Sequence, residues 1–265
     1  MDAATARIVI KSPREIELMR AAGRVVRRVL DELGTMVRPG ATTAELNARA
    51  EELIRAVGGT PLFHGVRNPQ ARMPFPAAIC ASINDQVVHG IPNDRPLKNG
   101  DILSIDCGVR LRGYCGDAAE TFPVGQPGPR TARLLEVTRA ALELAIAEIR
   151  PGLHWSRVAR RMQECIEDGG FSVIREFVGH GIGQEMHEEP KVPNYHDRSQ
   201  RPADFELRPG MTLAIEPMVA AGRPEVRLGD ATGWPVVTRD GSWAAHYEHS
   251  VAVTETGADV LTDGR

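Results

Sequence analysis

The sequence predicts a mixed fold of helices and strands, α+β or α/β, duplicated internally about an approximate two-fold axis. Helix-like and strand-like segments are interleaved along the 265 residues. LKNGDILSID (97–106) matches LRPGMTLAIE (207–216) at an offset of 110, which sets Asp106 on Glu216. QVVHGIP (86–92) matches QEMHEEP (184–190) at an offset of 98, which sets His89 on His187. RPG at 38–40 recurs at 150–152, each time before a helix ending in Gly-Gly. These matches share one order along the chain. They imply two halves, about 12–125 and 130–258, each bringing a histidine and a carboxylate to a central site.

The elements follow in order. Ser12-Pro13-Arg14-Glu15 reads as a capping box with proline at the first helical position. Ile16, Met19, Ala22, Val26, Val29 and Leu33 then keep helical spacing to about Gly34. Thr42 with Glu45 opens a second helix through Leu46, Ala50, Leu53 and Val57, which Gly58-Gly59 stops. Residues 60–76 read as a proline-bearing loop, 131–149 as a third helix and 155–168 as a fourth. Strand-like runs lie at 77–83, 101–109, 211–219 and 248–254.

Composition narrows the function classes. A net charge of -3 and short basic clusters such as RVVRR (24–28) argue against nucleic-acid binding. The four cysteines form no CxxC pair and read as reduced thiols. Residues 1–10 lack a long apolar core, so no signal peptide is expected, and no apolar run approaches membrane-spanning length. The expectation is a soluble cytoplasmic protein with one catalytic domain over 1–265.

The chemistry concentrates in FVGHGIGQEMHEEP (177–190), where His180 and His187 stand seven apart among glycines. Zinc proteases of the H-E-x-x-H kind place their histidines four apart on a helix, and Gly179, Gly181 and Gly183 oppose a helix. A glycine-flanked histidine fits a backbone brought close to something. Asp106 lies in a strand-like run, and a tight turn near 111–113 would lay Asp117 beside it on a paired strand. Glu216 and Glu248 sit in strand-like runs of the second half. Small residues neighbour each acid on its own face, among them Ser104, Gly108, Ala214 and Ser250, while the opposite faces are apolar. Taken singly, each acid fits a solvated strand end. Four buried together would repel and protonate unless cations neutralise them. Two divalent ions sharing a carboxylate about 3.5 Å apart are the arrangement of two-metal hydrolases. Oxygen ligands with a single imidazole suit Mn, Fe, Co or Zn.

The motifs NDQVVHGIP, LKNGDILSIDCGV, GYCGDAAETF, GHGIGQEMHEEP, AIEPM and YEHSVAVT together resemble the type I methionine aminopeptidases of peptidase family M24. The resemblance implies the pita-bread (creatinase-like) fold, with a central antiparallel sheet covered by helices. It implies two divalent metal ions: Asp106 on one, Asp117 and Glu248 bridging, His180 and Glu216 on the other. His89 and His187 would contact substrate, and Glu216 would also move the proton. Cys80, Phe63, Trp234, Met186 and Phe75 would form the methionine pocket. The implied activity is removal of the initiator methionine from nascent polypeptides whose second residue is small. The implied enzyme is a monomer, with the ribosome as a candidate partner and neither nucleic acid nor membrane. Loop 64–76 is longer than the family's usual version and is expected at the pocket mouth. The spacing of 29 residues from His187 to Glu216 leaves no room for the inserted helical subdomain of type II enzymes. Proline dipeptidases share much of GHGIG…HEEP and form the alternative, with a non-enzymatic binding protein on the same fold behind them.

Overall fold

Ser12 and Thr42 each accept the backbone N–H of the glutamate three residues on, while Glu15 and Glu45 accept the cap residues' own N–H at 2.8 Å. These reciprocal caps start helices α1 (Pro13–Met36) and α2 (Thr43–Ala56) where the sequence predicts. Val57 falls just beyond α2 as its C-cap and is exposed, so Ile54 rather than Val57 completes the buried face. The computed structural model describes residues 8–197 and 204–265.

The first half continues with β1 (Thr60–Pro61), β2 (Cys80–Ile83), β3 (Gln86–Val88), β4 (Ile102–Leu111) and β5 (Tyr114–Pro123). The segment read as a loop from residue 60 thus begins with a two-residue strand on β4. The second half holds α3 (Pro129–Glu148), α4 (Trp155–Asp168), β6 (Ser172–Val173), β7 (Gly179–Gly181), β8 (Glu188–Val192), β9 (Thr212–Ile215) and β10 (Met218–Ala220). It closes with β11 (Val226–Leu228), β12 (Val236–Thr238), β13 (Ala244–His246), β14 (His249–Val253) and β15 (Ala258–Val260). Helix α3 starts two residues before the expected 131, because Pro129 takes the first helical position.

All strand pairs are antiparallel. In the first half β4 lies between β1 and β2 on one side and β5 on the other. The β4–β5 hairpin runs unbroken from Ile102↔Pro123 to Leu111↔Tyr114. Its two turn residues, Arg112 (φ 53°) and Gly113 (φ 85°), both take the left-handed conformation that a two-residue hairpin turn requires. In the second half the order is β15-β14-β9-β7-β8, and shorter sheets (β13-β10-β6 and β11-β12-β3) flank the centre. The expected strand at 211–219 splits into β9 and β10 around Glu216-Pro217, since proline offers no N–H to a ladder.

Each half packs its helices on its own strands. Leu30, Leu33, Leu46 and Ile54 bury against Leu103, Ile105 and Val109 in one core. Leu134, Leu142, Val158 and Met162 bury against Leu213, Ile215 and Val251 in the other.

The duplication recurs hydrogen bond by hydrogen bond. Gly40 N–H donates to Leu97 O and Gly152 N–H to Leu207 O, both at 2.9 Å, and Leu97 and Leu207 return bonds of 2.8 Å to Ala41 and Leu153. Gly100 N–H donates to Val124 O and Gly210 N–H to Val253 O, at 2.8 and 2.9 Å. That last match equates the ends of β5 and β14 at an offset of 129. The two strands meet at the seam between the halves, where Glu248 N–H donates to Ala119 O at 2.9 Å and Ala119 N–H faces Glu248 O at 3.4 Å. Residues 119 and 248 are themselves 129 apart, so the pseudo-two-fold axis passes between them.

Candidate metal centre and substrate pocket

The five predicted metal-binding residues all line one cavity of about 750 Å³ at this seam, together with His89 and His187. Asp106 and Gly108 share a face of β4, and Gly108 pairs with Asp117 on β5, so the two aspartates are diagonal neighbours over a gap left by glycine. Glu216 leaves the end of β9 at the break before Pro217, and Glu248 precedes β14. His180 stands in mid-β7, opposite Ala214. One ligand atom each from Asp117, His180 and Glu248 lie within 4.8 Å of one another, and His180 Nε2 is 3.6 Å from Glu216 Oε1.

Buried Asp106 Oδ1, Asp117 Oδ1 and Glu248 Oε1 have no hydrogen-bond partner among the described residues. Anionic oxygens withdrawn from water in this way are costly unless a cation meets them. Burial raises all four carboxyl groups, Asp117 to about 7; neighbouring carboxylates push Asp106, Glu216 and Glu248 well above the usual carboxylate range. Oxygen-rich, with imidazole in reach and orphaned acceptors, the set fits divalent metal.

The glycine run explains His180. A Cβ at Gly179 would lie 2.2 Å from Ala214 O, and one at Gly181 2.2 Å from Glu189 O. Only bare backbone lets β7 sit this closely between its neighbours. His180 Nδ1 lies 2.9 Å from Gly181 O; a carbonyl only accepts, so Nδ1 carries the proton and Nε2 turns its lone pair to the site. Burial, then His187, lowers His180 to about 4. The His187 ring lies edge-on to His180 with centroids 4.4 Å apart, and burial lowers its pKa too. Next to it, Glu188 is held by Lys11 at 2.5 Å, a pair with side-chain exposures of 15% and 3% that anchors the loop.

His89 has a left-handed backbone (φ 60°), an uncommon conformation for a residue with a side chain. Its ring is set edge-on to Phe177 and Trp234, with centroids 5.5 and 6.1 Å away, and burial followed by His187 lowers it to about 4.

The apolar wall contains all five predicted pocket residues. Phe63, Phe75, Cys80 and Trp234 form one buried cluster with Ala77, and Met186 packs against it. Phe75 meets Trp234 edge-to-face at 5.1 Å. Burial and Asp106 push the Cys80 thiol well up, so it acts as a small apolar surface. Loop 64–76 is folded onto this wall: Gly65 N–H bonds Phe75 O, Arg72 N–H bonds Thr232 O, and Trp234 Nε1 donates to Met73 O at 2.8 Å. Val66, Arg67 and Asn68 line the cavity, at the pocket where the loop is expected.

Sequence reasoning missed His246. It is 2% exposed, lines the same cavity, and sets Nε2 3.8 Å from Glu216 Oε2 and 4.0 Å from Glu248 Oε2. Counting back two residues from Glu248 would have found it.

Residues 17–255 match metallopeptidase family M24. The chain is 46% identical to methionine aminopeptidase 1 of Bacillus subtilis, over 96% of this chain and 99% of that one. The chain belongs to the methionine aminopeptidases of this family. It is 41% identical to the methionine aminopeptidase of Escherichia coli, over 96% of this chain and 94% of that one. The crystal structure of methionine aminopeptidase from Rickettsia prowazekii superimposes with a TM-score of 0.90 at 36% identity, covering 97% and 100% of the two chains. The pita-bread fold extends to an Xaa-Pro dipeptidase from Bacillus anthracis, at a TM-score of 0.75 and 22% identity, of which this chain covers 63%. Among the described residues no helix is long and apolar enough to cross a membrane.

Proposed function

We propose that this protein removes the N-terminal methionine from nascent polypeptides whose second residue is small. One observation carries the reading: four carboxylates, Asp117 and Glu248 buried and Asp106 and Glu216 half-buried, converge with His180 at a cavity whose wall is the apolar cluster of Phe63, Phe75, Cys80 and Trp234. Asp106 would hold one divalent ion and His180 and Glu216 a second, with Asp117 and Glu248 shared between the two. Such ions, drawn from Mn, Fe, Co and Zn, would supply Lewis acidity and lower the pKa of water.

The protein's own groups do the rest. The apolar wall takes the methionine side chain, and desolvating it contributes about 1.5–3 kcal/mol to binding. His187 is neutral at pH 7 and offers an N–H to the substrate carbonyl, while His89 faces the scissile amide from the Trp234 side. Glu216 takes a proton from the attacking water and returns it to the leaving amine. Both halves act as one catalytic domain, a monomer working in the cytoplasm on chains leaving the ribosome.

The test is hydrolysis of Met-Ala-Ser against Ala-Pro-Ser, with protein loaded in turn with Mn, Co, Fe and Zn. Release of methionine from the first peptide alone is expected. Cleavage only before proline would move the protein to the dipeptidase branch.

A further inference from the structure

The pseudo-two-fold axis gives His246 a counterpart. The offset of 129 that equates Ala119 with Glu248 also equates Asp117 with His246, and Thr121 with Ser250. The backbone bonding obeys the same operation. Ser250 Oγ accepts Asp117 N–H at 3.0 Å and donates to Asp117 O at 2.8 Å. Thr121 Oγ1 accepts His246 N–H at 2.9 Å and donates to His246 O at 2.8 Å. A hydroxyl clasp therefore grips the backbone of each residue from the opposite half, and both side chains are turned to the same cavity.

Glu216 lies between two imidazoles. Its Oε1 is 3.6 Å from His180 Nε2, and its Oε2 is 3.8 Å from His246 Nε2. Two donors about 2.1 Å from one ion in tetrahedral relation stand about 3.4 Å apart, so the His180 side suits a shared cation. The His246 side differs. His246 Nε2 is buried with no hydrogen-bond partner among the described residues, and it faces Glu248 Oε2 at 4.0 Å as well. A lone pair aimed at two carboxylates is repelled; an N–H is attracted. Carboxylates that hold metals are themselves held by outer hydrogen bonds, and buried His246 Nε2, unpartnered among the described residues, is placed to supply one.

We propose that His246 is a positioning residue of the metal centre, donating Nε2–H to Glu216 Oε2 and so fixing Glu216 Oε1 toward His180. The role rests on the ligand set proposed above. The gap exceeds a hydrogen bond by about 1 Å, which a small torsion of the Glu216 side chain closes. The residue would govern metal affinity and the orientation of the proton-carrying carboxylate without itself binding the ion.

Titration of metal-free protein with Co(II) by calorimetry tests this, on wild type, His246→Ala and His246→Gln. His246→Ala is expected to weaken the Glu216 site about 10–100-fold. His246→Gln, which keeps a donor, should recover most of that affinity. X-ray absorption of the Co(II) protein should count the same imidazole ligation in all three, and ¹⁵N spectra should show the Nε2–H tautomer of His246. Imidazole scattering that falls in His246→Ala would make His246 a direct ligand and overturn the proposal. Wild-type affinity in both folded variants would also overturn it. Wild-type protein that binds no Co(II) would sink the ligand assignment together with this role.

Discussion

The two halves share a frame but deliver their acids differently. In the first, Asp106 and Asp117 stand inside one hairpin of two ten-residue strands. In the second, Glu216 and Glu248 stand where short strands break, at Pro217 and just before β14. A long paired hairpin leaves its side chains little freedom, whereas a strand end lets a longer glutamate bend toward a partner. On the proposed ligand set the first half would form a fixed base for the cations, and the second would supply the adjustable and proton-carrying groups.

The comparison breaks most visibly at the histidines, which match across the repeat. His89→Ala and His187→Ala should each lose about 10²–10⁴-fold in turnover while keeping metal. Kinetics on Met-Ala-Ser beside metal analysis checks both, and retained activity in both variants would remove their roles. Next in size is Asp117→Asn, which takes a charge from the rigid half. Metal affinity should fall by more than the roughly 10–100-fold typical of an outer partner, read by calorimetry. Unchanged metal content would show that the hairpin is no base for the ions.

The two clasps sharpen the comparison further. Ser250→Ala and Thr121→Val each strip a hydroxyl from a buried backbone N–H and C=O, at a cost of about 1–3 kcal/mol. Similar losses in urea melts would confirm that the clasps are equivalent; a loss in one variant only would make the symmetry cosmetic. The smallest effect is in pH. Burial raises Asp117 from 3.8 to about 7, so across that window this carboxyl keeps in the folded metal-free protein a proton that it loses in the unfolded chain. Its contribution to stability declines as pH rises from about 4 to 7, while buried His89, His180 and His246, lowered to about 4, 4 and 3, push the other way, and added Mn(II) should change the net slope by removing the carboxyl part. Melting temperatures with chelator and with Mn(II) decide it, and equal slopes would contradict the cation reading.

Much of this was legible in the sequence where local chemistry is strong. Ser12/Glu15 and Thr42/Glu45 mark helix starts because a capping box is a four-residue event. The β4–β5 hairpin is legible because ten residues of pairing leave a long pattern. Strands such as β6, β7 and β10–β13 run two or three residues, too short for a period of two to register. His246 escaped for a different reason. Its place two residues before Glu248 sets it near the site, but its role comes from Thr121, 125 residues away, and from the offset of 129 that the joined halves display. The division of one expected strand at Glu216-Pro217 was readable from proline alone, and the apolar run on both sides hid it.

The seam has a consequence for how the enzyme measures its substrate. The backbone bonds of Ala119 with Glu248, and the two clasps beside them, sit among the proposed ligands, so the halves cannot swing apart without dismantling the centre. Induced fit by clamshell closure is therefore unavailable to this architecture. The proposed selection for a small second residue would then fall to a cast of fixed volume, and catalytic efficiency should drop stepwise once that volume is exceeded.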